Sequence, residues 1–284
     1  MVVPEQIIQR LEGNESLDRL ARPLSKAASR LTQPTVVKNA LSGTWLGHPL
    51  HPMLTDVPIG SWVAAAALDV LGGRSARKAA QRLVGLGVLA AAPTALSGWS
   101  DWSDTYGPEQ RVGIAHALGN SSAVLLQSAS YLARRRRRHG SGVLLSLAGL
   151  GAMGAAAYLG GHLSYVRGVG VNHTAFEQMP TEWTDVAALA DLAPGEPVRA
   201  SAGGAPVVLI RQDDQVHALA ATCVHAGGPL DEGEIVDGCL RCPWHGSIFQ
   251  LSDGRVRRGP ATTSQPSLET RLEEGRVQVR VPSR

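Results

Sequence analysis

The sequence predicts a multi-domain chain, an all-α four-helix transmembrane bundle followed by an all-β domain. Three observations carry this reading. Four long stretches rich in Ala, Gly, Leu and Val fall between residues 48 and 166. Beyond residue 180 the apolar residues alternate or cluster in short runs, as small antiparallel sheets do. Among those runs lie Cys223-Val224-His225 and, after sixteen intervening residues, Cys242-Pro243-Trp244-His245. A chain of 284 residues has room for two domains, and a mean hydropathy of −0.02 averages over two unlike halves.

The first 47 residues are polar or amphipathic, and no N-terminal signal peptide is visible in them. Between Glu15 and Leu31, helical spacing puts Leu17, Leu20, Leu24, Ala27, Ala28 and Leu31 on one face, and Pro23 limits its first turns. That face is expected to lie on the membrane or on the bundle. Spans are predicted at about 53–71, 83–99, 112–133 and 143–166, each near the ~20 residues that cross a bilayer. Gly149, Gly151, Gly154 and Gly160 would let the last helix approach its neighbours closely. Asp56, Asp69, Asn120 and Gln127 keep a soluble Ala-rich bundle open as the alternative, because intramembrane charge is costly.

Loop charges give an orientation. Arg74, Arg77, Lys78 and Arg82 follow the first span and Arg134 to Arg138 the third, whereas Asp101, Asp104 and Glu109 outweigh Arg111 after the second. The positive-inside rule places both basic loops in the cytoplasm and both termini outside. Trp45, Trp99 and Trp102 then fall at the outer boundary, as interfacial aromatics do. The arginine run, followed by His139-Gly140-Ser141-Gly142 and an apolar segment, also resembles an internal twin-arginine signal. A linker of about residues 167–180 leads into the domain at 181–284. From residue 164 onward acids outnumber arginines, which excludes nucleic acid as a partner of that half.

In the second half, Val207 to Ile210, Val216 to Leu219 and Val277 to Val281 read as strands, and Asp253-Gly254 and Glu274-Gly275 as hairpin turns. Thiolates and imidazoles together suit zinc or iron–sulfur chemistry. Zinc fingers place two cysteines in one loop and two histidines in the other, while a Rieske [2Fe–2S] centre uses two cysteines on one iron and two histidines on its neighbour. A structural zinc knuckle is the plainer alternative. With Ala226-Gly227-Gly228-Pro229-Leu230 after the first pair and Gly246-Ser247-Ile248-Phe249 after the second, the region at about 180–284 resembles Rieske domains. The resemblance implies that Cys223 and Cys242 hold the inner iron, and His225 and His245 the outer, redox-active one.

Departures within the resemblance indicate a subtype. The extra loop cysteines of the cytochrome bc Rieske proteins, which pair as a disulfide, correspond here to Gly228 and Trp244. Ser247 matches their cluster-facing serine, but Phe249 replaces their tyrosine, so the loops resemble the ferredoxin type. Cys239, three residues before Cys242, is read as a small buried strand residue.

Residues ~48–172 resemble a family of predicted four-helix bacterial membrane proteins of uncharacterised function. The likeness rests on His48-Pro49-Leu50-His51-Pro52-Met53, Asp56-Val57-Pro58-Ile59-Gly60, Gly160-Gly161-His162-Leu163-Ser164-Tyr165 and Gly168-Val169-Gly170-Val171. On the topology above, His48, His51, His116, His162 and His173 gather at the outer ends of the spans. His116 with His162 is the pair first considered for an axially held haem b, and His51 with Asp56 for a proton relay or quinone contact. Hydrogen-bonded or interfacial histidines are the plain alternative.

Two functions remain open: membrane-anchored one-electron transfer to a redox protein or quinone, and transport or sensing with the cluster as redox sensor. No mononuclear-iron facial triad accompanies the cluster, so the chain does not read as an oxygenase. With inverted topology it would be a membrane-tethered donor to a cytoplasmic oxygenase or reductase. Each hydrogen bond to sulfur stabilises the reduced cluster. The chain is therefore expected to have a midpoint well below the top of the Rieske range of about −150 to +300 mV, and Phe249→Tyr to raise it. Protein-film voltammetry checks both; a wild-type midpoint near +300 mV contradicts the subtype.

Overall fold

A computed structural model describes residues 3–283. It divides into two compact units, Met1–Gln33 with Leu50–Val169, and Pro34–Pro49 with Gly170–Arg284. The first 47 residues are thus shared between them.

The first unit is helical: α1 (Val3–Gly13), α2 (Asp18–Thr32), then α4 (Leu50–Leu71), α5 (Gly73–Trp102), α6 (Gly107–Arg135) and α7 (His139–Tyr165); α3 (Thr35–Ser42) belongs to the other unit. The four long helices form two hairpins, α4/α5 and α6/α7, with α5 packed on α6 and α4 on α7. By length and composition α4, α5 and α7 are apolar enough to cross a membrane. The expected fourth span, 112–133, is helical, but α6 does not reach that apolarity among the described residues. Its Arg111, His116, Asn120, Gln127 and three serines between 121 and 128 explain the shortfall, and several of them serve inside the bundle.

Close contact between helices rests on small residues. A Cβ at Gly87 would come within 2.3 Å of the Trp62 indole, whose Nε1 donates to the Val84 carbonyl at 3.3 Å. Gly149 and Gly160 do face neighbouring side chains, Gln127 and His116, but Gly151 and Gly154 have nothing within 4 Å. Buried polar groups are satisfied in pairs: Gln127 Nε2 donates to the Ser146 carbonyl at 3.1 Å, and Ser146 Oγ to Gln127 Oε1 at 2.9 Å.

The arginine run divides. Arg135 to Arg138 are exposed, whereas Arg134 turns inward, with Nη1 2.8 Å from Asp69 Oδ1 on α4 and Nε 3.1 Å from Ser130 Oγ. Both side chains of the pair are buried, at 1% and 2% exposure. Asp69 is therefore neutralised inside the bundle.

Helix α2 departs from its expected face. It buries Ala21, Ser25, Ala28 and Thr32, while Leu20 and Leu31 are exposed. Short side chains permit a closer approach to α5 and α6 than the leucines would, and the leucines are left on the outside.

The second unit carries a six-stranded antiparallel sheet and a four-stranded one. The first has β1 (Thr184–Ala188), β10 (Arg276–Arg280), β9 (Ser267–Glu273), β4 (Gln215–Ala220), β3 (Ala205–Gln212) and β2 (Pro197–Ala202) in that order. The second runs β5 (Glu234–Val236), β6 (Cys239–Arg241), β7 (Ile248–Gln250) and β8 (Val256–Arg258). Both expected hairpin turns lie where the sequence placed them: Asp253-Gly254 between β7 and β8, and Glu274-Gly275 between β9 and β10 with φ of 50° and 76°. The second pair fits a type I′ turn, which needs two left-handed residues. One core gathers Val208, Ile210, Leu219, Leu240 and Phe249 around Cys223 and Cys242.

Removing one partner of a buried ion pair leaves a charge without compensation, costing about 3–5 kcal/mol, whereas replacing both by apolar residues costs much less. Asp69→Leu alone or Arg134→Leu alone should therefore lower the thermal midpoint of the detergent-solubilised chain markedly. The double variant should recover most of the loss. Equal losses in all three would show the pair to be energetically idle.

Candidate metal centre

The two cysteine–histidine segments fold into loops of one pattern. In the first, which follows β4, Cys223 N donates to the Gly228 carbonyl at 2.9 Å and Gly227 N to the Cys223 carbonyl at 2.9 Å. In the second, between β6 and β7, Cys242 N donates to the Ser247 carbonyl at 2.8 Å and Gly246 N to the Cys242 carbonyl at 3.1 Å. Each loop is thus pinched at its cysteine by bonds to the residues four and five positions on. The fourth residue is Gly227 or Gly246, with φ of 77° and 70°, a conformation that glycine adopts without strain.

The pinch turns backbone donors onto sulfur. The N–H groups of His225 and Ala226 point at Cys223 Sγ, and those of Trp244 and His245 at Cys242 Sγ. The two thiols also hydrogen-bond each other. Accepting that bond, together with the backbone donors, draws Cys242 down to about 7, while the Cys223 thiol, donating and buried, is pushed up.

The imidazoles meet beside the sulfurs. The rings of His225 and His245 lie 4.9 Å apart between centroids at 83°. His225 Nδ1 is buried without a hydrogen-bond partner, and His245 Nε2 is buried too. Burial, reinforced by the facing His245 and by Lys38 and His173, holds His225 at about 3. Burial and Lys38 hold His245 at about 4. Both rings are therefore neutral near pH 7, the form in which imidazole ligates metal. An orphaned ring nitrogen, two adjoining thiols and sulfur-directed N–H groups fit an iron–sulfur cluster held by two cysteines and two histidines.

The tuning positions are also placed. Ser247 is buried, and its Oγ accepts from Ala261 N at 3.0 Å, which leaves the hydroxyl hydrogen available for another acceptor. Phe249 is fully buried on β7. The Trp244 ring packs over Gly228, where an added Cβ would lie 3.1 Å from the ring and 3.0 Å from Cys242 Sγ. Trp244 therefore covers the spot that a loop-bridging disulfide would use. Cys239 sits on β6 opposite Val236 and Gln250, half-buried, with its thiol pushed up by burial, and it takes no part in the centre.

Several supporting residues carry no motif. Gln265, buried, fastens the first loop: its Oε1 accepts from Val224 N at 3.0 Å and its Nε2 donates to the carbonyls of Ala220 at 2.9 Å and Thr222 at 2.6 Å. Arg258 Nη1 donates to the Gly246 carbonyl at 2.7 Å and braces the second. Most distant in sequence is α3. Asn39 Nδ2 donates to the Arg257 carbonyl at 3.2 Å, its Oδ1 accepts from Gly259 N at 2.8 Å, and Thr44 Oγ1 donates to the Ala261 carbonyl at 3.2 Å. Residues 34–49 are thus a component of the metal-binding unit, and the α3 signal invisible in sequence is an ordinary polar asparagine.

The remaining histidines scatter. His48 is exposed, its Nδ1 3.0 Å from the Pro49 carbonyl oxygen. His173, grouped with the bundle by sequence, lies in the second unit, where its N–H donates to the Val224 carbonyl at 3.1 Å and its ring reaches Gly227. His162 Nε2 is 3.0 Å from Glu12 Oε1 of α1, and His116 Nδ1 is instead 2.7 Å from the Ala156 carbonyl oxygen, so the two expected partners each meet another group. His51 is on α4 and His116 on α6, each bonded to a carbonyl of its hairpin partner.

Comparison with known proteins agrees with this geometry. Residues 182–270 match the Rieske [2Fe-2S] domain, and residues 47–173 match a predicted membrane protein family, DUF2231. Ferredoxin CarAc of Metapseudomonas resinovorans is 34% identical over 98 residues, 34% of this chain and 92% of the ferredoxin. The anthranilate 1,2-dioxygenase ferredoxin subunit of Burkholderia cepacia is 30% identical over 100 residues, 35% of this chain and 93% of the subunit. Apoptosis-inducing factor 3 of Homo sapiens is 34% identical over 90 residues, 32% of this chain, and the chain spans only 15% of that protein's length.

Two measurements check the centre. Gln265→Leu leaves a loop N–H and two carbonyls unpaired, which should cost about 1–3 kcal/mol and speed loss of the metal centre on warming, followed by visible absorbance. Metal-free protein should lose stability as pH falls. His225 and His245 titrate near 6.5 when unfolded but at about 3 and about 4 when folded, so the unfolded chain takes up more protons between these limits. Its melting temperature should fall on acidification from about pH 6.5 toward pH 4, and His225→Asn should flatten the slope.

Proposed function

Because the chain belongs to the Rieske [2Fe-2S] domain family and carries that domain after a DUF2231 predicted membrane domain, we propose that it is a membrane-anchored one-electron carrier. The observation that carries this reading is the pair of matching pinched loops, with two thiols and two neutral imidazoles side by side. Cys223 and Cys242 would hold the inner iron and His225 and His245 the outer one. When bound, the cluster supplies a one-electron ferric–ferrous couple.

The chain's own residues determine how that couple is used. The N–H groups of His225, Ala226, Trp244 and His245 offer hydrogen bonds to sulfur and so favour the electron-rich state. Phe249 withholds a further donor, which moves the potential back down. Gln265, Arg258 and Asn39 hold the loops in one geometry, so that little reorganisation accompanies each electron.

Helices α4, α5 and α7 anchor the chain, and the basic loops orient it with the cluster domain outside the cytoplasm. A second reading keeps the anchor and inverts it. The ferredoxin subunits among the relatives, together with Trp244 standing in place of a disulfide, favour a tethered donor to a cytoplasmic oxygenase-type partner. Protease treatment decides between them. With the domain outside, spheroplasts should lose the C-terminal domain and inverted vesicles should protect it; the reverse result establishes the tethered cytoplasmic donor.

A further inference from the structure

Asn39 of α3 grips the outer edge of the four-stranded sheet. Strand β8 ends that sheet, and it pairs with β7 through Arg258 with Ile248 and Val256 with Phe249. Backbone groups of Arg257 and Gly259 are left on the side away from β7. Asn39 takes both: its Nδ2 donates to the Arg257 carbonyl at 3.2 Å, and its Oδ1 accepts from Gly259 N at 2.8 Å. One side-chain amide, with a donor and an acceptor, thus serves this edge as a neighbouring strand would. The fit is close. A Cβ at Gly259 would come within 2.9 Å of Thr44 Oγ1 and 3.4 Å of Ser42 Cβ. Just past α3, Thr44 Oγ1 donates to the Ala261 carbonyl at 3.2 Å.

The stretch held in this way leads directly to the second cluster loop. Ala261 is buried, and its N–H donates to Ser247 Oγ at 3.0 Å. Ser247 is buried too, and its carbonyl takes the Cys242 N–H at 2.8 Å. A hydroxyl oxygen that accepts on one side turns its own hydrogen elsewhere. With Ala261 N held in place, that hydrogen is left for the sulfurs that the matching serine faces in Rieske loops. Arg258, between the two residues that Asn39 holds, braces the same loop at the Gly246 carbonyl. Lys38, fully buried on α3, adds to the field that keeps both ligand imidazoles neutral. Asn39 and Thr44 lie outside both family matches, which cover residues 47–173 and 182–270.

We propose that Asn39 and Thr44 are positioning residues of the redox centre. They fix residues 257–261, keep Ala261 N on Ser247 Oγ, and so aim the Ser247 hydroxyl at a cluster sulfur. Hydrogen bonds to sulfur favour the reduced state, so a partner that orients such a donor tunes the potential without touching the cluster. A segment that precedes the bundle in sequence thereby sets part of the potential of a cluster that follows it. The proposal rests on the reading that this site holds a Rieske cluster.

The full chain, purified in mild detergent, is compared by iron content, visible absorbance and voltammetric midpoint. Wild-type protein without a cluster overturns the carrier reading and this proposal together. With the cluster present, Ser247→Ala should lower the reduction equilibrium constant roughly tenfold, about 59 mV for one electron. Thr44→Val and Asn39→Ala should shift the midpoint in the same direction by a smaller amount, and Thr44→Ser should restore it. Combined with Ser247→Ala, neither should shift it further. If Asn39→Ala loses its cluster, Thr44→Val, which removes one hydroxyl at nearly constant shape, carries the comparison. The proposal alone is overturned if cluster-bearing variants at both positions keep the wild-type midpoint. It is equally overturned if their shifts add in full to that of Ser247→Ala, or if Thr44→Ser behaves as Thr44→Val does.

Discussion

Everything the cluster domain does depends on bringing two sulfurs and two ring nitrogens, drawn from segments separated by sixteen residues, into one small volume. The backbone does this by the same device twice. A cysteine N–H reaches the carbonyl five residues on, and its carbonyl takes the N–H four residues on. The ligand histidine is carried inside the closed turn. Because the pinch fixes the backbone, the N–H groups of His225 and Ala226 in one loop and of Trp244 and His245 in the other turn toward sulfur. One local arrangement therefore supplies ligands, electrostatic tuning and rigidity together.

That arrangement needs support from outside the loops. Gln265 ties the first loop to the end of β4, while Arg258 and the Ser247–Ala261 bond tie the second to the segment after β8. Asn39 of α3 and Thr44, just beyond that helix, then clamp that segment from more than 200 residues away in sequence. The cost of a loose loop would be paid in reorganisation at each electron transfer, so these polar contacts have a functional as well as a structural meaning. Trp244 adds a different kind of support, a ring laid over Gly228 where related proteins of another subtype would use a covalent bridge.

The helical unit solves a separate problem, that of placing polar groups within an apolar bundle. Asp69 meets Arg134, Gln127 meets Ser146, and His51 and His116 each give their ring hydrogen to a carbonyl of the neighbouring helix. Small residues make these contacts possible by letting helices close to short range. Helix α6 concentrates the polar side chains, which is why it falls short as an apolar span while α4, α5 and α7 do not.

The sequence alone marked Cys223, His225, Cys242 and His245 as candidate ligands, three of the strands and two hairpin turns around them, and the helical character of the first half, because each is written in local spacing. Cysteine and histidine types at a fixed separation, glycine at the turns, and runs of apolar residues need no partner elsewhere to be recognised. Tertiary structure decided the rest. Residues 34–49 belong with the cluster domain although they precede the bundle, Arg134 serves as an internal counter-ion apart from its exposed neighbours, and α2 buries alanine and serine in preference to leucine. His162 meets Glu12 of α1, while His51 and His116 each bond a carbonyl of the neighbouring helix. Each of these depends on which surfaces meet across long sequence separations. A polar or small residue has no periodic signature of its own, so its role appears only when the partner it touches is known.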